Sequence, residues 1–143
     1  MTDQAAWFQY SADASEALAE IEQSLIVLEN CANSTEEVRR LYRALHTLKG
    51  NSALLGLSNL EHLAHACEDM IGLVRDHQVP IGRHLVDLML EVVDRLRTLV
   101  ERVTSRHADV EPTDVADLAA RAVRWTPAHG GTRAAAQGGP TAY

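Results

Sequence analysis

Two cysteines, four prolines and a single phenylalanine exclude several architectures for this chain of 143 residues. Cys31 and Cys67 give no disulfide framework and, by themselves, no zinc ligand set. A reducing compartment, the cytoplasm, is the simple expectation. So few prolines rule out a fibrous or Pro-rich design. Basic residues are also short, 13 Lys+Arg against 20 Asp+Glu, for a net charge of −7. Phosphate backbones and anionic lipid surfaces both attract the opposite sign, so neither nucleic acid nor membrane is an expected partner. No apolar run approaches the roughly 18 residues of a membrane-spanning helix. The opening Met1-Thr2-Asp3-Gln4 lacks a basic region followed by an apolar core, which argues against a secretory signal.

A hydrophobic content of 46% suits a folded domain, and the length suits one core. The apolar residues fall at helical spacing throughout, with no alternation of period two. From Gln4 to Glu29, Leu18, Ile21, Leu25 and Leu28 make a stripe, with Glu16, Glu20, Glu22 and Glu29 on the wet side. Asn30 to Ser34 reads as a loop. Ser34 and Glu37 then fit a capping box for a second helix carrying Val38, Leu41, Leu45, Leu48, Ser52 and Leu55. Gly56 is placed to end it with a positive φ. Ser58 and Glu61 predict another capping box, and Leu60, Leu63, Cys67, Met70 and Val74 a third helix. Cys67 lies in that stripe and reads as a small buried hydrophobe.

A fourth helix is expected from Gly82 to Ser105, with a face wide enough for more than one neighbour. A short fifth follows Pro112, with Val115, Leu118, Ala119 and Ala122 facing the bundle. The expected fold is all-α: an up-down antiparallel four-helix bundle with a fifth C-terminal helix. It occupies residues 1–125, and residues 126–143 form a Gly/Ala-rich tail or linker.

The second helix carries the residues that the packing does not need. Tyr42, His46, Lys49 and Ala53 form a stripe beside the apolar one, and His46 and Lys49 are neighbours on it. Gly50 sits mid-helix at a cost of about 0.5–1 kcal/mol relative to Ala. That cost points to close approach of a backbone or a bulky group. Arg39, Arg40 and Arg43 form a local basic strip. On the third helix His62, His65, Glu68 and Asp69 lie off the apolar stripe. An antiparallel hairpin turning near Gly56 brings His46 toward His65 and Glu68. A carboxylate that accepts a hydrogen bond from one imidazole nitrogen leaves the other with a free lone pair, the chemistry of a nucleophilic histidine.

The run Arg43-Ala44-Leu45-His46-Thr47-Leu48-Lys49-Gly50-Asn51-Ser52-Ala53-Leu54-Leu55-Gly56 resembles the histidine phosphotransfer (HPt) domain of two-component signalling. The motif of that family is H-x-x-K-G followed by a small residue and a later glycine. The acidic opening helix, the run Ala64-His65-Ala66-Cys67-Glu68-Asp69-Met70 and the fifth helix are similar to the N-terminal phosphotransfer domain of CheA-type chemotaxis kinases. The likeness covers residues 5 to 125.

The resemblance implies that His46 is phosphorylated, that Lys49 stabilises the phosphoryl group and that Gly50 leaves room for it. It implies supporting roles for His65 and Glu68. It further implies a monomeric carrier served by a histidine kinase and a receiver (response regulator) domain. The receiver would supply Mg2+, with no cofactor belonging to the carrier. The chain has no nucleotide-binding glycine loop of its own, so the phosphoryl group is expected from elsewhere. Stand-alone carrier and phosphotransfer part of a larger kinase both fit.

Two other readings compete. His62, His65, Glu68 and Asp69 are candidate metal ligands, although a di-iron bundle needs a second Glu-x-x-His copy that is missing here. An adaptor bundle binding another helix leaves Gly50 and the His46/Lys49 pair without a purpose. His62 reads as a surface residue, and His77, His84, His107 and His129 have no constellation around them.

Overall fold

A computed structural model describes residues 4–125, so the tail expected over 126–143, with His129, lies outside the described residues. The chain forms α1 (Gln4–Asn30), α2 (Thr35–Leu54), α3 (Ser58–Arg75), α4 (Arg83–Arg106) and α5 (Pro112–Val123), and among the described residues there is no strand. The helical stripes are buried as their spacing predicts: Leu18, Ile21, Leu25 and Leu28 on α1, Leu41, Leu45 and Leu48 on α2. A fully buried side chain of this size contributes about 1.5–3 kcal/mol. Burial therefore fixes which face of α2 points inward, and His46 is on the face left over.

α1 packs against α2 and α4, and α2 against α3, so the first four helices run up and down as expected. The fourth side of the bundle differs from a regular four-helix design. α3 and α4 meet only slightly, and α5 lies against α3. Arg121 ties α5 to Glu91 of α4 at 2.9 and 3.0 Å. Arg102 reaches the Asp114 carboxylate at 3.2 Å, and Arg95 the Asp114 carbonyl at 2.9 Å. The wide apolar face of α4 is explained by these several neighbours.

The ends of α2 follow the sequence closely. The Glu37 N–H donates to the Ser34 hydroxyl at 3.2 Å. The return arm of the box is replaced: the Glu37 carboxylate accepts from Arg40, and the Ser34 N–H donates to the Cys31 carbonyl. At the other end Gly56 has φ +72°, where a side chain would be strained. Its N–H donates to the Ala53 carbonyl and that of Leu57 to the Ser52 carbonyl, a Schellman turn. This turn reverses the chain and sets α3 antiparallel to α2.

The second capping box does not form. The N-cap of α3 is Leu57, which has no side chain to cap with. Asp109, fifty residues on in the α4–α5 loop, takes the free N–H groups of Asn59 at 2.7 Å and Leu60 at 3.3 Å. Asn59 Nδ2 in turn donates to the Val110 carbonyl at 2.8 Å. A carboxylate satisfies these donors better than a hydroxyl and also favours the positive end of the helix dipole.

Candidate functional site

One carboxylate organises the outer face of the α2–α3 hairpin. Glu68 is almost wholly buried, yet it is the only charged residue among the buried described residues. Its Oε1 accepts from Lys49 Nζ at 2.8 Å, and its Oε2 stands 2.5 Å from Nδ1 of His46. The Glu68 side chain is 5% exposed, whereas that of His46 is 62% exposed. Burial pushes the Glu68 carboxyl up, but the hydrogen bonds from Lys49 and His46 outweigh burial and hold it below its ordinary value. The same Lys49–Glu68 bond holds the Lys49 ammonium above its ordinary value despite partial burial.

An ionised Glu68 can only accept, so the shared proton belongs to Nδ1 of His46. The tautomer follows from this network: in the neutral ring Nδ1 carries the hydrogen and Nε2 the lone pair. The arrangement thus holds an imidazole by one nitrogen on an exposed helix face.

Of the residues singled out from sequence, His46, Lys49 and Glu68 come together. Gly50 is exposed, and a Cβ built there meets no atom within 4 Å. The close approach expected at Gly50 is therefore not made among the described residues. His65 stays at the margin. It is half exposed and its Nε2 pairs with Asp69 at 3.5 Å rather than with His46. His62 is a surface residue as expected. His65, Glu68 and Asp69 do bring ligand atoms within 4.8 Å of one another. Both oxygens of Glu68 already serve Lys49 and His46, which leaves a cation two exposed ligands at the surface.

Three features went unread in the sequence. The Tyr42 ring lies alongside His46 with centroids 6.4 Å apart, and the Arg75 guanidinium sits 4.3 Å from the centre of the Tyr42 ring. Spacing alone put Tyr42 on the right stripe, but nothing local marked Arg75. His107 is not idle: it ends α4 in the left-handed region and stacks on Trp7 at 4.9 Å. Ser52, counted among apolar positions, is buried to hydrogen bond Tyr10 at 2.9 Å and so pins α1 to α2. Burial raises the Tyr10 hydroxyl to about 12 in spite of that bond. Cys67 is likewise pushed up to about 12 by burial and is inert, as its place in the stripe implied. Of the basic strip, Arg40 pairs with Glu37, while Arg43 lines an α1–α2 groove with Asp13, Glu16 and Glu20.

Comparison with known proteins gives the family. The Hpt domain model matches residues 6–105. The chemotaxis protein CheA of Treponema pallidum (strain Nichols) is 30% identical over 129 residues, which cover 90% of this chain and 16% of that protein. CheA of Listeria monocytogenes serovar 1/2a is 33% identical over 111 residues, covering 76% of this chain and 18% of that protein. The chain thus spans less than a fifth of the length of the curated relatives it matches. The crystal structure of the phosphorylated P1 domain of CheA3 in complex with CheY6 from R. sphaeroides aligns with a TM-score of 0.80 at 41% identity, covering 84% of this chain and 94% of that one. The solution structure of the histidine phosphotransfer domain of CheA aligns at 0.71 and 25% identity, covering 79% and 85%. With a helical bundle, a histidine held by a buried carboxylate and a family model matched over most of its length, this chain belongs to the Hpt domain family.

Proposed function

We propose that the chain is a phosphoryl carrier of a two-component relay, with Nε2 of His46 as the accepting atom. The observation that carries this reading is the 2.5 Å contact of Nδ1 with Glu68 on a ring that is otherwise 62% exposed. In the accepting step the Nε2 lone pair attacks the phosphorus of the donor. The N–P bond forms as the donor P–O bond breaks, and that electron pair leaves on the donor oxygen. The ring becomes cationic with its proton retained on Nδ1, where the ionised Glu68 offsets the charge. In the return step an aspartate oxygen attacks the phosphorus and the N–P electron pair goes back to Nε2.

Lys49 balances Glu68 at rest and turns to the phosphoryl oxygens when they arrive. Gly50, with open space where a Cβ would stand, leaves the approach clear. His65, next to Glu68 and Asp69, supports the site from its edge. The donor is the nucleotide phosphate held by a histidine kinase or the aspartyl phosphate of a receiver, each with a P–O bond to break, and the acceptor is a receiver domain, which brings Mg2+; the carrier acts as a cytoplasmic monomer with no cofactor of its own. The phosphorylated P1 domain in complex with CheY6 supports a receiver as partner. The much longer CheA relatives make the phosphotransfer part of a larger kinase a form of the same reading.

The test is to incubate the protein with phosphorylated receivers and with kinases, then map the modified residue. An acid-labile phosphohistidine at His46 is expected, absent in a folded His46→Gln variant. Full labelling of His46→Gln at another residue overturns the assignment.

A further inference from the structure

Glu68 holds the His46 ring at one edge only. A single hydrogen bond at Nδ1 fixes distance and direction but leaves the plane of an exposed imidazole free to rock. Something else has to fix that plane if Nε2 is to meet an incoming phosphorus in line. Helical side chains lean toward the N-terminus, so the residue four positions back lies beneath the ring. That residue is Tyr42. Its ring is within 13° of parallel to the imidazole, at 6.4 Å between centroids, an offset stack.

Tyr42 is itself held by α3. The Arg75 guanidinium stands 4.3 Å from the centre of its ring, a cation–π distance. Arg75 is aimed by two hydrogen bonds to the Asp76 carboxylate, at 3.0 and 3.2 Å. Gly72 lies one turn before Asp76, and a Cβ there would touch Tyr42 Cε1 at 3.5 Å, so the ring packs on bare backbone. These contacts lie outside the H-x-x-K-G motif, and all converge on one aromatic ring.

We propose that Tyr42 is a positioning residue for His46 and that Arg75 keeps Tyr42 in place. The inference rests on the reading of His46 as the phosphoryl acceptor. Glu68 sets the tautomer and one edge; Tyr42 sets the plane. The Tyr42 hydroxyl also interacts with Arg75, but it is the ring that lies along the imidazole, so phenylalanine should replace tyrosine and an aliphatic side chain should not.

The experiment measures His46 phosphorylation in wild type, Tyr42→Leu, Tyr42→Phe and Arg75→Ala, alongside the His46 ring-proton resonances of each unphosphorylated protein. An aromatic pair of this kind is worth about three- to tenfold in rate. Tyr42→Leu is expected to lose that factor at saturating donor with the half-saturating donor concentration unchanged. Arg75→Ala should follow in the same direction, and Tyr42→Phe should retain the wild-type rate. The His46 resonances should move in Tyr42→Leu as the ring current is lost, and stay in Tyr42→Phe. An unchanged saturating rate in Tyr42→Leu overturns the proposal, as does a change confined to the half-saturating concentration. If wild type takes no phosphoryl group at His46, the carrier reading fails on its own, and unmoved His46 resonances in Tyr42→Leu would then sink the positioning role separately.

Discussion

His46 and Glu68 stand on opposite arms of a helical hairpin, 22 residues apart, and meet at 2.5 Å with one side chain outside and the other inside. The buried partner carries the negative charge and the exposed partner offers its ring to solvent. That division makes the imidazole available without loosening the bundle, because the anion is compensated from within the hairpin by Lys49.

Glu68→Ala should slow phosphorylation of His46 while the bundle persists. An orienting carboxylate behind a metal-bound histidine is worth about 10- to 100-fold in activity, and a loss in that range is expected here. Glu68→Gln, which can still accept one hydrogen bond, should lose less. Time courses with a saturating donor measure it, and equal rates in all three proteins would place Glu68 outside the transfer chemistry.

The pH dependence of stability has a definite sign. The folded Glu68 carboxyl lies below its ordinary value of 4.5. Its contribution is therefore complete above the unfolded value and is lost as pH falls through the folded one. Lys49 is the mirror case: raised above 10.5, it contributes below that value and loses its contribution as pH climbs through the folded one. Denaturant unfolding of wild type and Glu68→Gln at several pH values is the measurement. The difference between the two should shrink as pH falls below 4.5 and again as pH climbs above 10.5. A difference that stays flat well into acid contradicts the linkage.

Gly50 separates folding from transfer. A Cβ there meets nothing within 4 Å among the described residues, so Gly50→Ala should stabilise the helix by about 0.5–1 kcal/mol. Gly50→Leu should also stay folded, yet block transfer by occupying the ground beside His46. Thermal melts by circular dichroism and a transfer assay read the two effects. Normal transfer by Gly50→Leu would mean that the partner docks elsewhere.

The start of α3 offers a test of where its cap comes from. Asp109→Ala removes the acceptor for the Asn59 and Leu60 N–H groups and should cost about 1–2 kcal/mol. Ser58→Ala, at the position the local sequence marks as the cap, should change stability by no more than about 0.5 kcal/mol. Chemical denaturation of both variants decides; a larger loss from Ser58→Ala would restore the local cap.

Much of this was written in the sequence because it is local. Leucine spacing fixed five helices and their inward faces, since a stripe of period 3.6 can be buried in only one way. Gly56 fixed the turn, because few other residues accept its φ. His46, Lys49 and Gly50 were legible as residues the core did not require. Glu68 was legible as a nearby carboxylate, but not as a buried one bridging both His46 and Lys49; that needed α2 and α3 in register. The cap from Asp109, the stack of His107 on Trp7 and the Arg75–Tyr42–His46 series join residues far apart in the chain. No local pattern encodes such contacts, because they exist only once the helices are packed at one separation and one rotation. The sequence by itself determined which residues were free to act, and tertiary packing decided which of them touch the histidine.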